Sequence, residues 1–114
     1  MSEESCLFCK IIAGKIPGDF VHQDEQSVVI RDVNPQAPMH MLVIPREHIE
    51  SLDEASQKEE GLLGHLLRVG ARIANDHADG GYRTVINTGA GAGQSVFHLH
   101  VHVLGGRPLS WPPG

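Results

Sequence analysis

Three histidines recur at every second position in the run His98-Leu99-His100-Val101-His102-Val103-Leu104, and such alternation reads as a strand. Alternate side chains of a strand share a face, so the three imidazoles project together while Leu99, Val101 and Val103 face the core. One histidine says little. Three on one face beside a glycine-rich loop make a site where a neutral imidazole can act as a nucleophile near pH 7. At strand spacing, His98 and His102 stand about 13 Å apart, too far for both to touch one phosphorus atom. The middle residue, His100, is therefore the candidate for direct attack on a reacting phosphorus atom. His102 is placed to assist the leaving group or to bond a phosphate oxygen. His40, after Pro38-Met39 at the mouth of another strand, is the candidate partner that fixes the tautomer of His100.

The loop Thr88-Gly89-Ala90-Gly91-Ala92-Gly93-Gln94-Ser95 precedes that strand. It has no lysine and leads into a strand, so it is neither a P-loop nor a dinucleotide fingerprint. Its glycines let backbone N–H groups approach an anion, and Ser95 adds a hydroxyl; a plain hairpin loop is the competing reading. Asp32 offers acceptors for two ribose hydroxyls, although an aspartate after a strand is also an ordinary turn residue. His22, His65 and His77 join no motif and read as surface or helix residues.

The two cysteines, Cys6 and Cys9, are spaced C-x-x-C, which in a reducing compartment is half a zinc site or a redox pair. Two more ligands would complete tetrahedral Cys2His2 zinc, and His48 and His98 are the reasonable fillers. No thioredoxin-like βαβ pattern surrounds the pair to favour the redox reading.

The elements that must carry these groups follow from pattern. Residues 6–16 read as a short helix or turn, stopped by Pro17-Gly18. Ser27 to Arg31 is a β-branched strand, and Asp32-Val33-Asn34-Pro35 turns out of it. Met41 to Ile44 lacks alternation, so it is expected to be buried on both faces and to stop at Pro45. Ser56 and Glu59 form a capping box for a long helix, with Leu62, Leu63, Leu66, Leu67, Gly70, Ile73, Ala74 and His77 on one face. Gly70 lies on that face, where close packing against a sheet would explain it. Gly80-Gly81 ends the helix, and Tyr82 to Asn87 and Val96 to Leu104 are the last strands. The class is α+β with a mainly antiparallel sheet, in one domain spanning 1–114.

A net charge of −5 over 114 residues argues against a general nucleic-acid binder but leaves small phosphate ligands open. No apolar run nears the roughly 20 residues of a membrane span. The acidic start, Met1 to Ser5, lacks the regions of a secretory signal, so a cytoplasmic location is expected.

The run from His98 to Leu104 matches the H-φ-H-φ-H-φ-φ signature of the histidine triad (HIT) family. Asp32-Val33-Asn34-Pro35-Gln36-Ala37-Pro38, Leu42-Val43-Ile44-Pro45, Gly105-Gly106-Arg107 and the end Trp111-Pro112-Pro113-Gly114 resemble its Hint branch, the purine nucleoside phosphoramidases. The resemblance spans nearly the whole chain. It implies a five-stranded sheet with one long helix and a short N-terminal helix, joined into ten strands across a homodimer. It implies hydrolysis of adenosine or guanosine 5′-phosphoramidates through a nucleotidyl-histidine on His100, with AMP or GMP as ligand and no catalytic metal.

In the same resemblance His40, Ser95 and His102 support catalysis. Leu7, Phe8, Ile30, Val33 and Leu42 line the base pocket, Asp32 holds the ribose, and Asn87, Gly93 and Gln94 lie by the phosphate or sugar. Trp111 reaches toward the partner subunit's site. Ile30 stands where an aromatic residue often flanks the base. Cys6, Cys9 and His48 are absent from many Hint proteins but, with the first triad histidine His98, resemble the ligands of zinc-bearing HIT members, which implies a structural zinc. A dinucleoside polyphosphate hydrolase, a nucleotidyltransferase and a nucleotide-binding regulatory module are the alternatives.

Overall fold

The computed structural model describes residues 3–114; Met1 and Ser2, the first two residues of the acidic start, lie outside the described residues. Five strands form one antiparallel sheet in the order β1-β2-β3-β5-β4: β1 Phe20–Gln23, β2 Ser27–Arg31, β3 Met39–Pro45, β4 Tyr82–Val85 and β5 Val101–Gly105. A short helix α1 (Leu7–Ile12) precedes the sheet, and the long helix α2 (Glu60–His77) joins β3 to β4. Both of those strands are antiparallel to β5, so they run parallel to each other and β5 inserts between them. That insertion sets the last histidine-bearing segment inside the sheet, between the central strand β3 and the edge strand β4.

Both faces of the sheet are covered, which explains why β2 and β3 show no alternation. Val29, Met41, Val43, Val101 and Val103 pack against Leu66, Val69, Ile73 and Ala74 of α2. Val28, Ile30, Leu42 and Ile44 pack on the opposite face against Phe8 and Ile11 of α1. Every residue of β3 is buried, as its continuous apolar run requires. β5 alternates instead, with Val101 and Val103 in the core and His102 and Leu104 half-buried.

The α2 stripe differs in detail from the expected one. Leu66, Gly70, Ile73 and Ala74 are buried, but Leu67 is 44% exposed and Val69 takes its place. Gly70 is needed for close approach: a Cβ there would lie 3.2 Å from Val103 Cγ2, whereas Gly61 and Gly64 face open space. The capping box exists, with Glu59 accepting from the Ser56 N–H at 2.9 Å, but it caps a single 3-10 turn (Gln57–Glu59) that runs into α2. The helix ends at His77, ahead of the glycines. Gly80 and Gly81, at φ +82° and +105°, make the turn into β4.

Two strand expectations need correction. β1 is an additional strand at one edge, pairing with β2. The expected strand from Val96 to Leu104 pairs only from Val101 onward. The register that sets Val43 opposite Val101 would next bring Pro45 opposite Leu99, and proline has no N–H to contribute. Residues 96–98 bend and residues 99–100 stay outside the ladder, and the Leu99 N–H goes to the Ile49 carbonyl instead. Among the described residues no helix is long and apolar enough to cross a membrane.

Candidate active site

The unpaired stretch before β5 lets each of the three histidines find a different environment. His98 is fully buried and its Nε2 lies 2.8 Å from the Pro45 carbonyl. A carbonyl only accepts, so Nε2 carries the proton and Nδ1 keeps a free lone pair. That lone pair points at Cys6 Sγ (3.2 Å), Cys9 Sγ (3.5 Å) and His48 Nδ1 (3.2 Å), and His48 Nδ1 lies 3.3 Å from Cys9 Sγ.

Four donor atoms therefore converge as the sequence paired them. A tetrahedral zinc with ordinary bond lengths needs ligand–ligand edges of about 3.3–3.8 Å, and the observed edges, 3.2 to 3.5 Å, lie at the short end of that range. The chemistry fits as well. Burial, together with the adjacent Cys6 sulfur, pushes the Cys9 thiol up to about 12, because two anionic sulfurs side by side need a cation. His48 Nε2 is buried without a hydrogen-bond partner among the described residues. Burial first, with His48 and His100 adding to it, lowers His98 to about 4, so its ring stays neutral as a ligand must.

His100 takes the opposite tautomer. Its Nδ1 donates to the backbone carbonyl of His98 at 2.7 Å, leaving the Nε2 lone pair free. The ring is 8% exposed and meets Phe8 of α1 edge-on at 5.0 Å. Burial lowers its proton affinity, against the His98 carbonyl and Asp32, so the lone pair is not masked by a proton near neutrality.

His102, opposite Leu42 in the register, reaches diagonally to His40, which is opposite Leu104. His40 Nε2 and His102 Nδ1 lie 2.9 Å apart. The Gln36 N–H donates to His40 Nδ1 at 3.0 Å, which places the proton of neutral His40 on Nε2. His102 Nδ1 then accepts, and its own proton sits on Nε2. The expected link from His40 to His100 is thus a link from His40 to His102; His100 is held by its neighbour's carbonyl. Burial, then His100 and His40, lower His102 to about 4, with Asp32 opposing. Asp32, His40 and His102 also bring three donor atoms together, with Asp32 Oδ2 3.4 Å from His40 Nε2. The proton on His40 Nε2 makes that group a hydrogen-bonded chain and a poor metal cage.

A cleft of about 300 Å³ opens over this wall. His100 and His102 line it together with Leu7, Phe8, Ile30, Asp32, Val33, Leu42, Asn87, Gly93 and Ser95, all singled out from the sequence. Ile11, Arg31 and Val96 join them without having been expected. Two expected contacts lie elsewhere. Gln94 is buried and braces the loop: its Oε1 accepts from the Gly89 N–H, and its Nε2 donates to the Glu50 and Val96 carbonyls. The loop is accordingly a closed turn, with Gly93 at φ +95°. Trp111 is 81% exposed, on a tail tied to β4 by Arg83, which donates to the Ser110 carbonyl at 2.9 Å.

His22 and His65, expected to be partnerless, both bond Asp24 Oδ2, at 2.9 and 3.0 Å. Burial would raise the Asp24 carboxyl, but bonds from His22, the Gln26 N–H, Ser27 and His65 hold it well below the usual carboxylate range. The signal was invisible in sequence because His65 is 41 residues away on α2.

The family model described as "Scavenger mRNA decapping enzyme C-term binding" matches residues 5–108. An uncharacterized HIT-like protein from Synechococcus elongatus is 54% identical over the full length of both chains. A HIT family hydrolase from Legionella pneumophila superposes with a TM-score of 0.93 at 42% identity, covering 96% of this chain and 100% of that one. A zinc-bound histidine triad family protein from Mycobacterium smegmatis gives 0.81 at 34% identity, covering 96% of this chain and 83% of that one.

Proposed function

The chain belongs to the histidine triad family, and we propose that it is a nucleotide hydrolase that cleaves purine nucleoside 5′-phosphoramidates through a nucleotidyl-histidine on His100. One observation carries this reading. The His98 carbonyl accepts a hydrogen bond from His100 Nδ1–H and leaves the Nε2 lone pair beside a cleft lined by Asp32, Asn87, Ser95 and His102.

In the first step Nε2 attacks the α-phosphorus while the bond to the amine breaks. The amine departs with the bonding pair and takes a proton from solvent. In the second step water attacks phosphorus, the P–N bond to His100 breaks, and nucleoside monophosphate leaves. In sum one water is split, its hydroxyl going to phosphorus and its proton replacing the one the amine took. Positive charge grows on the ring during attack, so the Nδ1–H bond to the His98 carbonyl strengthens in the transition state. His102 offers Nε2–H to a phosphate oxygen, with Ser95 and the backbone near Gly93 beside it. Asp32 holds the ribose, and Leu7, Phe8, Ile30, Val33 and Leu42 receive the base.

Cys6, Cys9, His48 and His98 would hold a structural zinc, which would neutralise the thiolates and pin α1 to the catalytic segment. The zinc-bound mycobacterial relative supports this. β4 is an edge strand, and a second copy continuing the sheet there would give ten strands and bring the exposed Trp111 toward a partner's cleft.

Steady-state hydrolysis of adenosine 5′-phosphoramidate, beside diadenosine tetraphosphate, tests the reading. AMP release favouring the phosphoramidate supports it. Preference for the tetraphosphate makes the protein a polyphosphate hydrolase. AMP binding without turnover of either leaves a nucleotide-binding module.

A further inference from the structure

Arg107 does not line the cleft, yet it is tied to the cleft's hydrogen-bonding pattern. β3 begins at Met39 opposite Gly105, the last residue of β5, so the chain after β5 runs back along residues 36–38. Gly106 turns there at φ +89°, and a Cβ on it would come within 3.0 Å of Pro38 Cβ. The turn lays the Arg107 guanidinium on the Gln36 carbonyl, with Nε at 3.2 Å and Nη2 at 2.9 Å. Nη1 donates to the Pro108 carbonyl, which steadies the fork. Gln36 is the residue whose N–H meets His40 Nδ1 at 3.0 Å.

We propose that Arg107 is a positioning residue: by holding Gln36 it fixes the tautomer of His40 and, through it, which nitrogen of His102 carries the proton. A backbone N–H can only donate, so with Gln36 in place His40 must accept at Nδ1 and donate at Nε2. His102, 2.9 Å away, then accepts at Nδ1 and keeps its hydrogen on Nε2. Without that N–H, His40 is free to adopt the other tautomer, with Nε2 accepting. His102 would then donate from Nδ1 and turn a lone pair toward the phosphate oxygens it should bind. His100 has its own lock, the His98 carbonyl, and is independent of Arg107. Arg107 is solvent-exposed, so its replacement leaves the core intact.

The kinetic part rests on the proposed function; the tautomer part does not. Long-range ¹⁵N–¹H spectra of the imidazoles are to be compared for the wild type, Arg107→Met and Arg107→Lys. The wild type should show protonated Nε2 at His40 and His102 and protonated Nδ1 at His100. Arg107→Met should mix tautomers at His40 and His102 alone, and Arg107→Lys, which keeps one donor for Gln36, should restore much of the pattern. With adenosine 5′-phosphoramidate, kcat of Arg107→Met should fall about tenfold and KM change less than about twofold. Unchanged tautomers in Arg107→Met, or a shift of His100 along with the others, would overturn the proposal. The stated spectra with no hydrolysis by the wild type would keep the lock and remove the phosphoramidase reading.

Discussion

His98 and His102 are four residues apart in one segment, and they serve opposite geometries. Around His98 the lone pairs converge: two imidazole Nδ1 atoms and two sulfurs point at one centre. Around His102 donors and acceptors run in series, from the Gln36 N–H through His40 to His102. Three backbone groups make the difference. The Pro45 carbonyl accepts a hydrogen bond from Nε2–H of His98, the His98 carbonyl accepts one from Nδ1–H of His100, and the Gln36 N–H donates to Nδ1 of His40. Residue type alone does not decide whether a histidine cluster holds a metal or does chemistry. The backbone group beside each ring decides it by choosing which nitrogen is left over.

The contrast can be broken from either side. The largest effect is expected from His100→Ala, which should lower phosphoramidate turnover by about 10⁴-fold or more while metal content stays at the wild-type level. Elemental analysis beside the kinetics checks both halves. Next comes Cys6→Ser. Serine keeps an acceptor at the N-cap of α1, where Cys6 Sγ now takes the Cys9 N–H at 3.3 Å, so the change isolates the metal cluster. It should abolish stoichiometric zinc and cost about 4 kcal/mol of stability in urea unfolding. Turnover should survive where the variant is still folded.

His40→Phe keeps the ring's bulk but removes both nitrogens of the serial chain. It should lower kcat by about 10²-fold and leave zinc unchanged. The smallest effect is on acid stability. Burial, with His100 and His40, holds folded His102 at about 4, below its unfolded value. Its contribution is therefore fully present above pH 6.5 or so and is lost as pH falls toward 4. Urea midpoints at several pH values should show the wild type losing about 2 kcal/mol more than His102→Gln across that window.

The sequence made the α+β class legible because β3 and α2 carry strong patterns, a continuous apolar run and a capped three-to-four repeat. β1 escaped notice because Phe20-Val21-His22-Gln23 is short, edge-placed and half polar. β5 was read too long because H-φ-H-φ-H alternates whether or not a partner strand continues, and Pro45 ends the partner. For the site, the structure brings together the four Cys and His side chains paired in the sequence reading, and eleven of the residues that line the cleft were named there, most of them through the family resemblance. What did not come through was orientation. Alternation says which face His100 occupies, but not which nitrogen its neighbour's carbonyl claims. Gln94 shows the same limit, since an amide in a glycine-rich loop reads as a ligand contact until its three backbone partners are known.

The central claim is that the Nε2 lone pair of His100 becomes bonded to phosphorus. Rapid acid-free quenching during phosphoramidate turnover, followed by intact mass spectrometry and peptide mapping, tests it directly. The account predicts a transient gain of one nucleotidyl group on His100, stable in base, labile in acid, and absent from His100→Ala. Turnover at full rate with no adduct, or an adduct mapped to His102, would contradict it.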